Sequence, residues 1–120
     1  MRFSFLTLQV ADMAASLAFY RDLLGMAVNR RFSPMPGMDI VFLGREGLQL
    51  ELICREGEKK EAGDNFSLGF AVDDLDTETA RLAAAGVVCG PAVQPAPGVR
   101  MSFCNDPDGN AVELIEERAR

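Results

Sequence analysis

Histidine is absent from these 120 residues. Its absence removes the side chain that most often works as a general base near neutral pH, and the commonest nitrogen ligand for zinc, copper or iron. Cysteine is scarce, and Cys54, Cys89 and Cys104 are an odd number without metal-ligand spacing. That pattern points to a reduced, cytoplasmic protein whose cysteines act as small buried hydrophobes. With no imidazole to activate a thiol, a cysteine nucleophile is disfavoured. Positive charge is short as well: 12 Lys and Arg stand against 18 Asp and Glu, a net charge of −6. Such a balance argues against nucleic acid or an anionic membrane as a partner. No stretch approaches the ~18 consecutive apolar residues of a membrane span, and the first ten residues alternate apolar with polar, unlike a signal peptide. What remains, 48% hydrophobic and 25% charged residues, is ordinary for one globular domain with its own core.

The chain repeats itself. Phe5-Leu6-Thr7-Leu8-Gln9-Val10-Ala11-Asp12 returns as Ser67-Leu68-Gly69-Phe70-Ala71-Val72-Asp73-Asp74, and Gly47-Leu48-Gln49-Leu50-Glu51-Leu52-Ile53 returns as Gly109-Asn110-Ala111-Val112-Glu113-Leu114-Ile115, each pair 62 positions apart. One shared offset in two separate segments indicates a duplicated module, and two copies make a paired-module domain rather than a solenoid. Matching residues in such a fold tend to lie about a pseudo-two-fold axis, which makes Glu51 and Glu113 candidates to face one another.

Alternation predicts a half-buried strand over 3–10, and Asp12 can cap the helix that follows. Met13, Leu17, Tyr20 and Leu24 form a helical apolar stripe that Gly25 ends. Strands are expected at about 27–32, 39–43 and 48–54, and 55–65 reads as a charged linker. The second module repeats the order. A strand over 66–72 leads into a helix over about 75–85 with Leu75, Thr79 and Leu82 inward and Gly86 as its stop. A proline-rich loop follows over 91–98, and a hairpin of 100–105 and 110–116 closes around Asp106-Pro107-Asp108-Gly109. Each module is therefore βαβββ, an α+β arrangement with one sheet face under a helix and the other left open.

Alternation then selects the open face. With Leu48, Leu50 and Leu52 turned toward the helix, Gln49, Glu51 and Ile53 point away, joined by Phe5, Thr7 and Gln9. In the second module Ala111, Glu113 and Ile115 point away, as do Ser67, Gly69 and Ala71. The facing of 100–104 depends on hairpin register: either Arg100, Ser102 and Cys104 or Met101 and Phe103 line the cleft. Phe32, Met35 and Met38 are placed to close over it, since methionine suits adaptable surfaces. An apolar cleft with a few convergent polar groups is the usual form of a small-molecule site.

Leu17-Ala18-Phe19-Tyr20-Arg21-Asp22-Leu23-Leu24-Gly25, Phe70-Ala71-Val72-Asp73-Asp74-Leu75 and Asp106-Pro107-Asp108-Gly109-Asn110-Ala111-Val112-Glu113-Leu114-Ile115-Glu116 strongly resemble the vicinal oxygen chelate superfamily. That group includes glyoxalase I, bleomycin resistance proteins, fosfomycin-inactivating thiol transferases and extradiol dioxygenases. The resemblance implies one domain over 1–120, with modules at about 1–54 and 66–120, whose tandem βαβββ units form a curved mixed sheet with a cleft. It also implies a homodimer with a cleft built by modules of different subunits, direct pairing of the two modules within one chain being the alternative, and in the enzymatic members a divalent metal on the open face. The histidine ligands of that metal fall on Phe5 and Ser67 here, and its acidic ligands fall on Glu51 and Glu113.

Two carboxylates without imidazole or thiolate make a poor site for zinc, nickel or iron, although magnesium or manganese can be held by carboxylates and waters. No cofactor is therefore expected. Facing carboxylates without a cation repel, which leaves protonation of one, neutralisation by Arg100 or Arg30, or a cationic ligand. The reading that follows is a binding protein of the glyoxalase/bleomycin resistance type. It takes an apolar, aromatic or cationic small molecule in a metal-free cleft lined by Phe5, Thr7, Gln9, Gln49, Glu51, Ser67, Met101, Phe103 and Glu113. The alternative is a glyoxalase-like lyase or thiol transferase that uses an atypical metal site at Glu51 and Glu113 or one of these glutamates as a carboxylate base, and a third reading is a structural domain with a vestigial cleft.

Overall fold

The computed structural model describes residues 1–45, 47–58, 62, 63 and 65–118, and the chain divides into two units, Met1–Glu61 and Ala62–Arg120. The division falls within the segment read as a linker, of which 59–61 and 64 lie outside the described residues. Unit 1 runs β1 (Phe5–Gln9), α1 (Met13–Leu17) continued by a π-helical turn (Ala18–Leu23), β2 (Val28–Phe32), β3 (Met38–Leu43) and β4 (Gln49–Arg55). Unit 2 runs β5 (Ser67–Ala71), α2 (Leu75–Ala84), β6 (Val93–Ala96), β7 (Val99–Asn105) and β8 (Ala111–Glu117). Each unit holds a four-stranded mixed sheet, in the orders β1-β4-β3-β2 and β5-β8-β7-β6, with β1–β4 and β5–β8 parallel and the remaining pairs antiparallel. This is the α+β, twice-βαβββ architecture of the glyoxalase/bleomycin resistance fold.

The duplication reaches into local geometry. Asp12 and Asp74 are both extended N-caps, and each accepts a hydrogen bond at 3.1 Å from the backbone three residues on, Ala15 N–H and Thr77 N–H. Both helices end at a glycine in the left-handed region, Gly25 (φ 79°) and Gly86 (φ 91°), a conformation that Cβ disfavours elsewhere. These glycines are 61 apart, however, not 62. The extra residue in unit 1 is absorbed by the π-helical turn, where Leu24 N–H reaches back five residues to the Phe19 carbonyl at 2.9 Å.

Apolar side chains on one sheet face pack under the helix. In unit 1 these include Leu8, Val41, Leu43, Leu50 and Leu52, with Met13, Leu17 and Tyr20 from the helical segment. In unit 2 Val112, Leu114 and Cys104 meet Leu75 and Leu82, and Ser102 is buried there with its hydroxyl donating to the Gly90 carbonyl at 2.7 Å.

Four expectations need correction. Leu48 is 58% exposed and precedes β4, because the strand starts only at Gln49; it belongs to the turn after Gly44, not to the inward row. Residues 91–98 are not all loop, since β6 pairs with β7 through Val93–Met101 and Ala96–Val99. Pro95 is tolerated because it lies in an irregular stretch on an edge strand, where a missing N–H breaks no ladder bond. Only Cys104 of the three thiols is buried. Desolvation, and after it the neighbouring Cys89, push its pKa up to about 12 and keep it protonated at neutral pH. Arg100 points to the helix side and pairs with Asp76 at 2.9 Å, so it does not neutralise Glu113. No helix among the described residues is long and apolar enough to cross a membrane.

Candidate functional site

On the open face of unit 1, β1 and β4 run in parallel register with Phe5 beside Gln49, Thr7 beside Glu51 and Gln9 beside Ile53. β3 adds Phe42 opposite Glu51, and β2 adds Arg30 opposite Phe42. The six unit 1 residues singled out by alternation thus share one face. The Thr7 hydroxyl donates to Glu51 Oε1 at 2.6 Å, Arg55 Nη1 donates to Gln9 Oε1 at 2.8 Å, and Asn29 Nδ2 donates to Gln49 Oε1 at 2.9 Å.

Phe5 stands edge-on to Phe42, with ring centroids 5.4 Å apart and planes at 82°, a favoured quadrupole geometry. The Arg30 guanidinium lies 4.5 Å from the Phe32 ring centroid and 5.9 Å from that of Phe42. Ser4, Phe5, Asn29, Arg30, Phe42 and Gln49 enclose a pocket of about 260 Å³. Met35 and Met38 line a different pocket, with Arg55, Glu56 and Glu58. Phe32 therefore joins the Phe5 face as expected, while the methionines do not line its pocket. Phe42, Asn29 and Ser4 were missed by sequence reasoning. Phe42 carried a signal, since it falls in phase with the open face, whereas Asn29 lies at the β2 irregularity between Val28 and Arg30, where alternation breaks down.

Unit 2 repeats the frame with a different lining. Ser67 pairs with Ala111, Gly69 with Glu113, and Phe103 stands opposite Glu113 across the β7–β8 hairpin, with Met101 opposite Ile115. The open question of facing is thereby decided: Met101 and Phe103 share the Glu113 face, and Ser102 and Cys104 go to the helix side. The turn that sets this register is held by the Asp106 carboxylate, which accepts from Asp108 N–H, Asn110 N–H and Asn110 Nδ2 at 2.9, 2.8 and 2.9 Å.

Where unit 1 has Thr7, unit 2 has Gly69, and a Cβ built there would lie 3.9 Å from Glu113 Oε2. Among the described residues Glu113 makes no hydrogen bond or ion pair, whereas Glu51 is engaged by a hydroxyl. Gly69→Thr sets its Cβ at ordinary contact distance, replaces a strand glycine with a β-branched residue, and is expected to raise stability by about 1 kcal/mol, read as a higher Tm. A lower Tm would show that the close approach at Gly69 is needed.

The residues present do not fit a transition-metal site. The positions that the family resemblance assigns to imidazoles hold a phenyl ring in tight aromatic contact and a serine, and one of the two carboxylates is tied to Thr7. Among the described residues no group of three or more His, Cys, Asp or Glu side chains is assembled for a metal ion.

A family model described as Glyoxalase/Bleomycin resistance protein/Dioxygenase superfamily matches residues 2–114. The lactoylglutathione lyase of Haemophilus influenzae is 31% identical over 121 residues, covering 93% of this chain and 90% of that protein. The uncharacterized protein YaeR of Escherichia coli is 34% identical over 114 residues, covering 88% of each. Among solved structures, the trypanothione-dependent glyoxalase I of Leishmania major matches with a TM-score of 0.83 at 27% identity, covering 98% of this chain and 87% of that one.

Proposed function

This chain belongs to the glyoxalase/bleomycin resistance protein/dioxygenase superfamily, and on that footing we propose that it is a metal-free small-molecule binding protein, cytoplasmic and homodimeric, taking an apolar, aromatic or cationic ligand on its open sheet face. The observation that carries this reading is Phe5. A phenyl ring occupies the position of the first metal ligand implied by the family, and it is packed edge-on against Phe42. An aromatic surface there offers a metal ion no lone-pair donor and attracts a planar apolar body. The engagement of Glu51 by Thr7 supports the same reading.

The test is the metal content of the purified, untagged protein by mass spectrometry, followed by a thermal-shift screen of aromatic and cationic compounds. Tag-free protein matters because the chain has no histidine of its own. The expected result is substoichiometric transition metal, stabilisation by aromatic compounds, no turnover, and a solution mass near twice 13.0 kDa. Stoichiometric metal, or a clean monomer, overturns the corresponding part.

A lyase or thiol-transferase reading is favoured by one observation, the retention of both acidic positions, with Glu113 left without a partner among the described residues. Its signature is turnover of a hemithioacetal that Glu113→Gln abolishes.

A further inference from the structure

Among the described residues that line the pocket on the open face of unit 1, Arg30 is the one charged side chain, and it is positive. β2 carries two consecutive arginines, which strand alternation sends to opposite faces. Arg31 is spoken for: its Nε and Nη2 donate to the two Asp39 carboxylate oxygens at 3.1 and 2.7 Å. Arg30 has no carboxylate partner among the described residues; its guanidinium rests instead over Phe32 and Phe42. A guanidinium held over rings rather than against a carboxylate keeps N–H donors available for a planar bidentate acceptor. The rings also limit the motion of the side chain, so less rotamer entropy is lost when an anion docks.

The remaining walls are the Phe5 and Phe42 rings and the Ser4, Asn29 and Gln49 side chains. The Asn29–Gln49 hydrogen bond fixes both amides beside Arg30. At about 260 Å³ the pocket lies just under the ~300–1,000 Å³ range of sites for drug-sized ligands, a space for a one- or two-ring compound.

We propose that this pocket is a subsite for an aromatic carboxylate, with the ring against Phe5 and Phe42 and the carboxylate on the Arg30 fork. The proposal rests on the binding-protein reading and narrows it, replacing the cationic preference suggested by the two glutamates with an anionic one at this pocket. The net charge of −6 does not oppose it. Exposed charges beyond the ~8 Å Debye length at physiological salt are screened. Glu51 is nearer, opposite Phe42 on the same face, but it already accepts the Thr7 hydroxyl, and the guanidinium is the charge that lines the pocket.

The experiment is a heteronuclear NMR titration of the full chain with 2-naphthoate, its neutral amide 2-naphthamide, and the cation 2-naphthylmethylammonium, repeated on Arg30→Gln. The wild type is expected to bind the naphthoate about tenfold more tightly than the amide, the usual worth of a charge-assisted pair, with shifts centred on Phe5, Arg30 and Phe42. Arg30→Gln is expected to abolish that preference, bringing the naphthoate down to the affinity of the amide, and a dispersed, wild-type-like spectrum of the variant certifies that it is folded. Equal binding of naphthoate and amide, or a preference that survives Arg30→Gln, overturns the subsite and leaves the binding-protein reading standing. Tightest binding of the ammonium compound overturns the subsite in favour of a glutamate-centred site. No binding by any of the three overturns both.

Discussion

Phe5→His combined with Ser67→His is expected to take up zinc or nickel near-stoichiometrically, where the unaltered chain is expected to purify without transition metal. The argument starts from register. Phe5 shares the open face of β1 and β4 with Glu51, and Ser67 shares the open face of β5 and β8 with Glu113. An imidazole at each position adds one nitrogen donor beside the carboxylate that its own unit's open face already carries, so the chain then holds two imidazoles and two carboxylates, the donor types that the family resemblance implies. Zinc favours such nitrogen and oxygen sets with about four protein or water ligands. Two carboxylates alone hold it weakly, and for that reason each single substitution is expected to show only partial uptake. Phe5→His has a second effect: it removes the edge-on contact with Phe42 and opens room for a hydrated ion. Metal content after dialysis, measured on untagged protein, decides the matter. If the double variant stays metal-free, the two departures are not what keeps this chain from binding metal, and the Thr7 hydrogen bond to Glu51 becomes the next suspect, tested by Thr7→Val in the same background. Stoichiometric metal in the unaltered chain removes the premise altogether.

Much of this site was legible because strand alternation is a property of each strand by itself. Phe5, Thr7 and Gln9, and likewise Gln49 and Glu51, share a face whatever their neighbours do, and the 62-residue offset carried that assignment to Ser67 and Glu113. What could not be read were features that depend on one residue more or less. The π-helical turn adds a residue to unit 1, and the Asp106–Asn110 turn adds one to unit 2, since Leu43 pairs with Leu50 whereas Cys104 pairs with Val112. Between those two points the repeat runs at 61, which is why the facing of Met101 and Phe103 stayed open until the hairpin register was seen. Gly25 and Gly86, already 61 apart, were the available clue. Leu48 and Pro95 went wrong for another reason: apolar character was taken to mean inward, and proline to mean loop, while strand ends and sheet edges relax both rules. The standing of Arg30 was also out of reach, because it depends on Arg31 rather than Arg30 taking Asp39.

Glu116 was read as no more than the end of a motif, yet alternation along β8 puts it in the inward row with Val112 and Leu114, and it is 1% exposed. A carboxylate buried among leucines survives only if its oxygens are satisfied. Oε2 accepts the Leu75 N–H at 2.7 Å, and Oε1 accepts from Arg118 Nε at 2.7 Å. Arg100 Nη1 stands 3.9 Å away. Leu75 opens α2, so Glu116 satisfies one of the free N–H groups of that helix while Asp74 satisfies another through Thr77. Position 54, its counterpart in unit 1, holds a cysteine, whose thiol donates to the Ala11 carbonyl at 3.6 Å. The two units therefore secure their helices by different chemistry. The Arg118 hydrogen bond first, and the Leu75 N–H second, hold the Glu116 carboxyl below its ordinary value of 4.5. A carboxyl with a lowered folded-state pKa contributes stability that is complete above the unfolded value and drains as pH falls through the folded one. Glu116→Gln keeps the shape but loses the charge, and its amide turns donors toward the Leu75 N–H or the Arg118 guanidinium. The variant is expected to unfold several degrees below the wild type at neutral pH, and the gap is expected to close as pH drops below 4.5. Asp76→Asn, which touches only an exposed pair with Arg100, is expected to change Tm far less. A gap that stays constant into acid assigns the loss to packing rather than to the charge, and an unchanged Tm at neutral pH means that the carboxylate is not what fastens α2 to the sheet.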